Sequence, residues 1–156
     1  MFEMKSFEDL NKKDIFTSIK NKDIQSVENY INSGYDLNVR DKYGYTPLNF
    51  AAHENNIKII KLLLNAGVDN VDEVNGFGDT ALSKAVGNDN CEMAELLLNA
   101  GADINREDKI GCTVLHYAAS NLYFDMAKLL INNNATLDKQ DQYGYTPLIK
   151  IQNSIN

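Results

Sequence analysis

Few residues in this chain could carry chemistry: His53 and His116, Cys91 and Cys112, the glycine pair of Gly76-Phe77-Gly78, and 22 carboxylates. Nucleophilic catalysis needs a base beside the nucleophile, and a metal needs several converging ligands. The two histidines lie 63 residues apart. The two cysteines form no CxxC and are too few for a disulfide framework, so a reducing compartment is the default. Gly76-Phe77-Gly78 has no preceding strand, no third glycine and no following Lys, so it reads as turn glycines and not as a phosphate cradle. The expectation is a protein that is no enzyme and holds no cofactor and no metal.

If no side chain performs a reaction, the chain must act through a surface, and its bulk properties limit which surface. At 156 residues, 44% hydrophobic and 24% charged, the sequence suits one globular domain, residues 1–156. Fifteen Lys and Arg against 22 Asp and Glu give a net charge of -7, which argues against direct nucleic-acid binding and against an anionic membrane. A neutral or basic protein partner fits better. The N-terminus, MFEMKSFEDL, lacks the continuous apolar stretch of a secretory signal, and no window approaches about 18 uncharged apolar residues. A cytoplasmic protein, monomeric when unbound, is expected.

The positioning elements are announced by an internal repeat. DKYGYTPL at 41–48 returns as NGFGDTAL at 75–82, DKIGCTVL at 108–115 and DQYGYTPL at 141–148. Gly44, Gly78, Gly111 and Gly144 are therefore spaced by 34, 33 and 33 residues. LLLNAGVD at 62–69 returns as LLLNAGAD at 96–103 and LLINNNAT at 129–136, with NYINSGYD at 29–36 a weaker copy in phase. A fixed period of this length means stacked units.

Each unit has a physical reading. Asp41 to Tyr45 supplies a turn, Thr46 can cap a helix whose first residue is Pro47, and Leu48, Ala51 and Ala52 continue it. After a tight connection, Ile57, Ile60, Leu63 and Leu64 fall on one face of a second helix that ends at Gly67. Cys91 takes the place of Ile57 and is expected on the buried side, whereas Cys112 near a tip could be exposed. Neither helix buries enough apolar surface to stand alone, so neighbouring units must cover each other's faces.

TPLNFAA at 46–52 and TVLHYAA at 113–119 each differ at one position from T-P-L-H-x-A, and with its four in-phase copies the sequence resembles the ankyrin repeat family over nearly its whole length. The third copy, TALSKAV, is looser. The resemblance implies an all-α solenoid of helix-turn-helix units with β-hairpin or turn tips, about four full units and a truncated fifth. Units are placed at 7–40 (N-cap), 41–74, 75–107, 108–140 and 141–156 (C-cap). Lys12, Lys13 and Lys20 suit a solvent-facing cap on the first unit, where Ile15 and Ile19 occupy the places of Leu48 and Ala52. The last helix, PLIKIQNSIN, is expected to cover the flank formed by Ala127, Leu130 and Ile131, and to fray. The resemblance also implies that His116 ties neighbouring loops by hydrogen bonds, and His53 is expected in solvent.

In that family the tips and the exposed side of the first helices form a concave face that binds proteins. The partner-binding residues expected here are Tyr43, Tyr45, Phe77, Asp79, Asp108, Ile110, Tyr143 and Tyr145, because successive tips repeat an apolar or aromatic side chain at one place. For Tyr45 and Tyr145 the competing role is packing across their own tips. Residues 69–108 hold ten acids and two bases, a candidate docking area in which Asp79 and Asp108 stand out from Glu92 and Glu95. The expected function is non-catalytic protein binding. A dedicated acidic inhibitor or immunity protein against a basic toxin, such as a nuclease, is an alternative, as is a host-directed effector or viral adaptor.

Overall fold

A computed structural model describes residues 14–155. The cap residues Lys12 and Lys13, and the start of the first unit at residue 7, lie outside the described residues. The helices come in antiparallel pairs: α1 (Ile15–Lys20) with α2 (Ile24–Asn32), α3 (Pro47–His53) with α4 (Ile57–Asn65), α5 (Ala81–Gly87) with α6 (Cys91–Asn99), and α7 (Val114–Ser120) with α8 (Phe124–Asn132). A single helix, α9 (Pro147–Ile155), follows. First helices stack on first helices and second on second, so the fold has two helical layers.

Local chemistry sets the helix starts. Thr46 and Thr80 each accept, through Oγ1, the N–H three residues on, at 3.3 and 3.1 Å. Asn56 and Asn90 do the same for α4 and α6, at 3.2 and 3.0 Å, and Asp14 and Asp23 for α1 and α2. Such caps contribute about 1 kcal/mol each. The turn inside every pair places one residue in the left-handed region: Lys22, Asn55, Asp89 and Leu122.

The core runs along the layer interface. Leu48, Ala51 and Ala52 of α3 and Ile59, Ile60 and Leu63 of α4 are buried, and Leu82, Val86, Met93, Leu97, Leu115, Met126 and Leu130 continue it. Small alanines on the first helices let neighbouring backbones approach, while the long side chains of the second helices fill the space between units. Each such Leu or Ile gains roughly 1.5–3 kcal/mol on burial, so Leu63→Ala is enough to cost roughly 2–5 kcal/mol. Ile57 and Leu64 are only partly covered, because the buried face of α4 is rotated around the helix axis to Ile59, Ile60 and Leu63. Cys91, at the place of Ile57, is likewise half-buried, not enclosed as expected.

Of the two forms expected for the tips, the structure has turns, with no strand among the described residues. One further expectation is corrected. Helix α9 packs on α7 and does not cover the flank of α8: Leu130 is already enclosed by its own layer, and Ile131 stays exposed. Stacking of like on like carries α9 onto the first-helix layer. No described helix is long and apolar enough to cross a membrane.

Candidate functional site

Four turns project from the ends of the first helices: 41–45, 75–79, 108–112 and 141–145. The opening residue of each organises it. Oδ1 of Asp41 accepts the N–H of Tyr43 and of Tyr45, both at 2.9 Å, and Asn75, Asp108 and Asp141 repeat the pair at the same distance. A backbone bond from the N–H of the fourth residue to the carbonyl of the first closes each turn, and Gly44 holds φ at +77° to allow it. Asn in the second turn works as well as Asp because only one acceptor oxygen is needed.

These turns present their third residue outward. Tyr43, Phe77, Ile110 and Tyr143 stand in register and are all exposed, Phe77 at 64%. Tyr45 is different. It is 6% exposed, its ring packed against Phe50 at 5.7 Å, His53 at 5.4 Å and Phe77 at 6.3 Å, so it supports the second turn from within and is not a free contact. Tyr145, in the same local sequence, remains 40% exposed beside Tyr143, with the Lys150 ammonium 5.3 Å from its ring.

Cys112 is also corrected: it is buried, not exposed at a tip. Its Sγ lies 3.7 Å from Asp141 Oδ2, and burial first, then the carboxylates of Asp108 and Asp141, push the thiol up to about 11 against the opposing pull of Lys150. Asp141 is itself enclosed and ion-paired with Lys150 at 2.7 Å. Burial alone would raise its carboxyl, yet Lys150 and the N–H groups of Tyr145 and Tyr143 hold it at about 2.

His116 is buried and bridges two units. Thr113 N–H donates to Nδ1 at 3.0 Å, which leaves Nε2 as the donor to the carbonyl of Tyr145, also at 3.0 Å. Asn49, at the equivalent place, donates Nδ2 to the carbonyls of Glu73 and Asp79, at 2.8 and 3.1 Å. His53, by contrast, is exposed. Backbone bonds of 2.9 Å add to these ties, from Gly76 N–H to the Tyr43 carbonyl and from Gln142 N–H to the Ile110 carbonyl. The first and second turns are thus joined, as are the third and fourth. A Cβ on Gly76 would lie 2.7 Å from the Tyr43 oxygen, so the first pair is especially close.

The acidic stretch is largely spent on such ties. Glu73 pairs with Arg40, Glu92 with Lys61 at 2.9 Å, Glu107 with Lys139 at 2.6 Å and Asp79 with Lys84 at 2.6 Å. Asp72 accepts the N–H of Asp103. Asp108 receives the Tyr117 hydroxyl, whose phenol is pushed up by burial first and then by that bond. Glu73, Glu92, Glu107 and Asp72 are engaged across units and Asp79 and Asp108 within their own, so these acids serve the scaffold more than a uniform negative field.

Between the two joined pairs of turns lies a cleft of about 460 Å³ whose walls include Asp79, Lys84, Asn88, Asp108, Tyr117 and Asn121. Asp79 and Asp108 were expected at a surface; Lys84, Asn88, Tyr117 and Asn121 were not. Their signal was present in the looser TALSKAV segment, where Ser83 stands at the place of Asn49 and His116. Among the described residues no cluster of His, Cys, Asp and Glu could hold a metal.

Compared with known families, residues 15–108 match a family model described as ankyrin repeats (3 copies), and residues 92–131 match one described as ankyrin repeats (many copies). No curated protein matches the chain by sequence.

Proposed function

Because the chain belongs to the ankyrin repeat family, whose repeats generally mediate protein–protein interaction, we propose that it is a non-catalytic module that binds a partner protein through its turns and the groove beneath them. The observation that carries this reading is the register of Tyr43, Phe77, Ile110 and Tyr143, four exposed apolar side chains on turns stiffened by a side-chain acceptor. Side chains held on such turns lose little freedom on binding, and aromatic anchors give the largest losses when truncated. With a net charge of -7, a neutral or basic partner fits the chain best. We place its action in the cytoplasm, where the free thiols of Cys91 and Cys112 persist, and take the unbound chain to be a monomer.

The test is a partner captured by the full chain and measured against Phe77→Ala with Ile110→Ala. Both side chains are exposed, although Phe77 also covers Tyr45, so the urea midpoint should fall modestly with the variant still folded, while affinity should fall by about 100-fold. Undiminished affinity in the folded double variant would place binding elsewhere. The aromatic contacts should slow dissociation and respond weakly to salt, whereas any help from Asp79 and Asp108 should appear as an association rate that falls as salt rises.

A further inference from the structure

The junction between the second turn (75–79) and the third (108–112) lacks all three ties that join the other turns. Lys109 N–H and the Phe77 carbonyl, which stand where Gly76 and Tyr43 or Gln142 and Ile110 bond, have no hydrogen-bond partner among the described residues. Val74 and Arg106 occupy the positions that form the Arg40–Glu73 and Glu107–Lys139 ion pairs elsewhere, and among the described residues they form none. Ser83 is too short to do what Asn49 and His116 do: its hydroxyl turns back to the carbonyl of Thr80 at 2.9 Å. A Cβ on Gly78 would meet only the Lys109 side chain, at 3.8 Å. The cleft opens beside this untied junction, with Gly78 and Ser83 in its lining.

Its lining has a surplus of acceptors. Asn88 donates its Nδ2 to the Ala52 carbonyl and Asn121 donates its own to the Tyr117 carbonyl, so both amide oxygens are unengaged among the described residues. Asp79 uses Oδ2 for Lys84 and Asn75 and keeps Oδ1. The Asp108 carboxylate and the exposed ring of Tyr117 complete the walls. The walls hold two carboxylates, Asp79 and Asp108, against one Lys, Lys84, which Asp79 already neutralises. The His53 ring is also in the lining, so with His counted as neutral the formal charge there is negative. A ligand matched to this lining is cationic, rich in N–H donors and flat enough to lie on an aromatic ring. Guanidinium meets all three requirements; ammonium is a point charge with fewer donors. At about 460 Å³ the cleft also has room for the backbone that carries such a side chain.

We propose that the cleft between the second and third turns receives an arginine side chain of the partner protein. This inference rests on the protein-binding reading and adds the chemistry of the partner's anchor. The exposed aromatic row would flank the point of entry, and the unpaired Phe77 carbonyl and Lys109 N–H would be at hand for the partner's main chain.

The test needs no partner. The 15N-labelled full chain is titrated with N-acetyl-arginine amide, N-acetyl-lysine amide and the uncharged isostere N-acetyl-citrulline amide, and backbone amide shifts are followed. Arginine should give saturable shifts confined to residues 77–88 and 108–121, lysine should bind at least fivefold more weakly, and citrulline should give no saturable shift. Asp79→Asn should weaken arginine binding at least fivefold. Ser83→His, which supplies the missing bridge, should weaken it at least tenfold; if that variant does not fold, Asp79→Asn still decides. Absence of saturation, equal response to citrulline, shifts elsewhere, or parent-like binding by the folded variants would overturn the proposal. A chain that holds its partner through Phe77 and Ile110 yet ignores arginine would sink this inference alone. Arginine binding in a chain whose partner affinity is indifferent to those two residues would sink the earlier reading alone.

Discussion

The Ser83 hydroxyl donates to the carbonyl of Thr80 at 2.9 Å, inside its own helical turn, where the His116 imidazole one unit later reaches 3.0 Å to the next unit's Tyr145 carbonyl. That difference in reach is one of the three by which the open junction departs from the closed ones, beside the missing backbone bond and the missing ion pair. Replacing Ser83 by His should therefore stabilise the fold by about 1 kcal/mol, the net value of one added hydrogen bond. Urea denaturation followed by circular dichroism would show it as a higher midpoint at unchanged slope.

Removing the existing bridge should have the opposite sign and be larger. His116→Ala leaves the Tyr145 carbonyl and Thr113 N–H without their partner and opens a buried cavity, at a cost of roughly 2–4 kcal/mol. Hydrogen exchange should show α9 losing protection before α3 or α4, because the bridge holds the fourth turn.

Acid should weaken the fourth turn through Asp141. Its folded carboxyl is held near 2 against an ordinary value of 3.8, so the stability it contributes is fully present above about pH 4 and is lost as pH falls through 2. Asp141→Asn keeps the acceptor that closes the turn, as Asn75 does in the second, and loses only the charge and the pairing with Lys150. The variant should be less stable than the parent at pH 7, and the gap between their urea midpoints should shrink from pH 4 to pH 2.

The two thiols should react at different rates. Cys91 is half-buried and Cys112 enclosed, with its thiol held up at about 11, so at pH 8 a thiol reagent should label Cys91 first. His116→Ala, by loosening the turn that covers Cys112, should accelerate its labelling about tenfold for each 1.4 kcal/mol lost locally. Mass spectrometry of the labelled peptides would read both rates.

Two glycines should respond in opposite directions to Ala. At Gly76 the new methyl meets the Tyr43 oxygen at 2.7 Å, and parting the joined turns should cost roughly 1–3 kcal/mol. At Gly87, the last residue of α5, nothing lies within 4 Å and φ is not positive, so Ala should stabilise by about 0.4–1 kcal/mol. Thermal midpoints of the two variants would check the contrast.

Much of the fold was legible because its determinants are local and recur. The spacing of Gly44, Gly78, Gly111 and Gly144 marks the turns, Thr46, Thr80 and Thr113 mark where first helices begin, and the apolar period marks the faces that must meet. The row Tyr43, Phe77, Ile110 and Tyr143 could be read for the same reason, since a turn of fixed shape aims its third residue the same way each time. Periodicity alone misplaced the finer face: it put Ile57 and Cys91 inside the stripe, although the enclosed residues are Ile59, Ile60 and Leu63 in α4 and Met93, Ala94 and Leu97 in α6.

What a neighbour does to a residue lay beyond local pattern. Tyr45 and Tyr145 sit in the same G-Y-T-P-L sequence, yet the first is buried because Phe77 of the next turn closes over it, and no described unit follows the second. Cys112 is enclosed for a similar reason, by Asp141 from the following turn. The sequence by itself determined the repeating unit, its caps and its outward turn residues, all set by contacts within a few residues. Only the tertiary structure decided which turns join and where the cleft opens, because each junction depends on groups of two units meeting: a backbone N–H and a carbonyl, two opposite charges, and a side chain long enough to cross to the next unit's carbonyl.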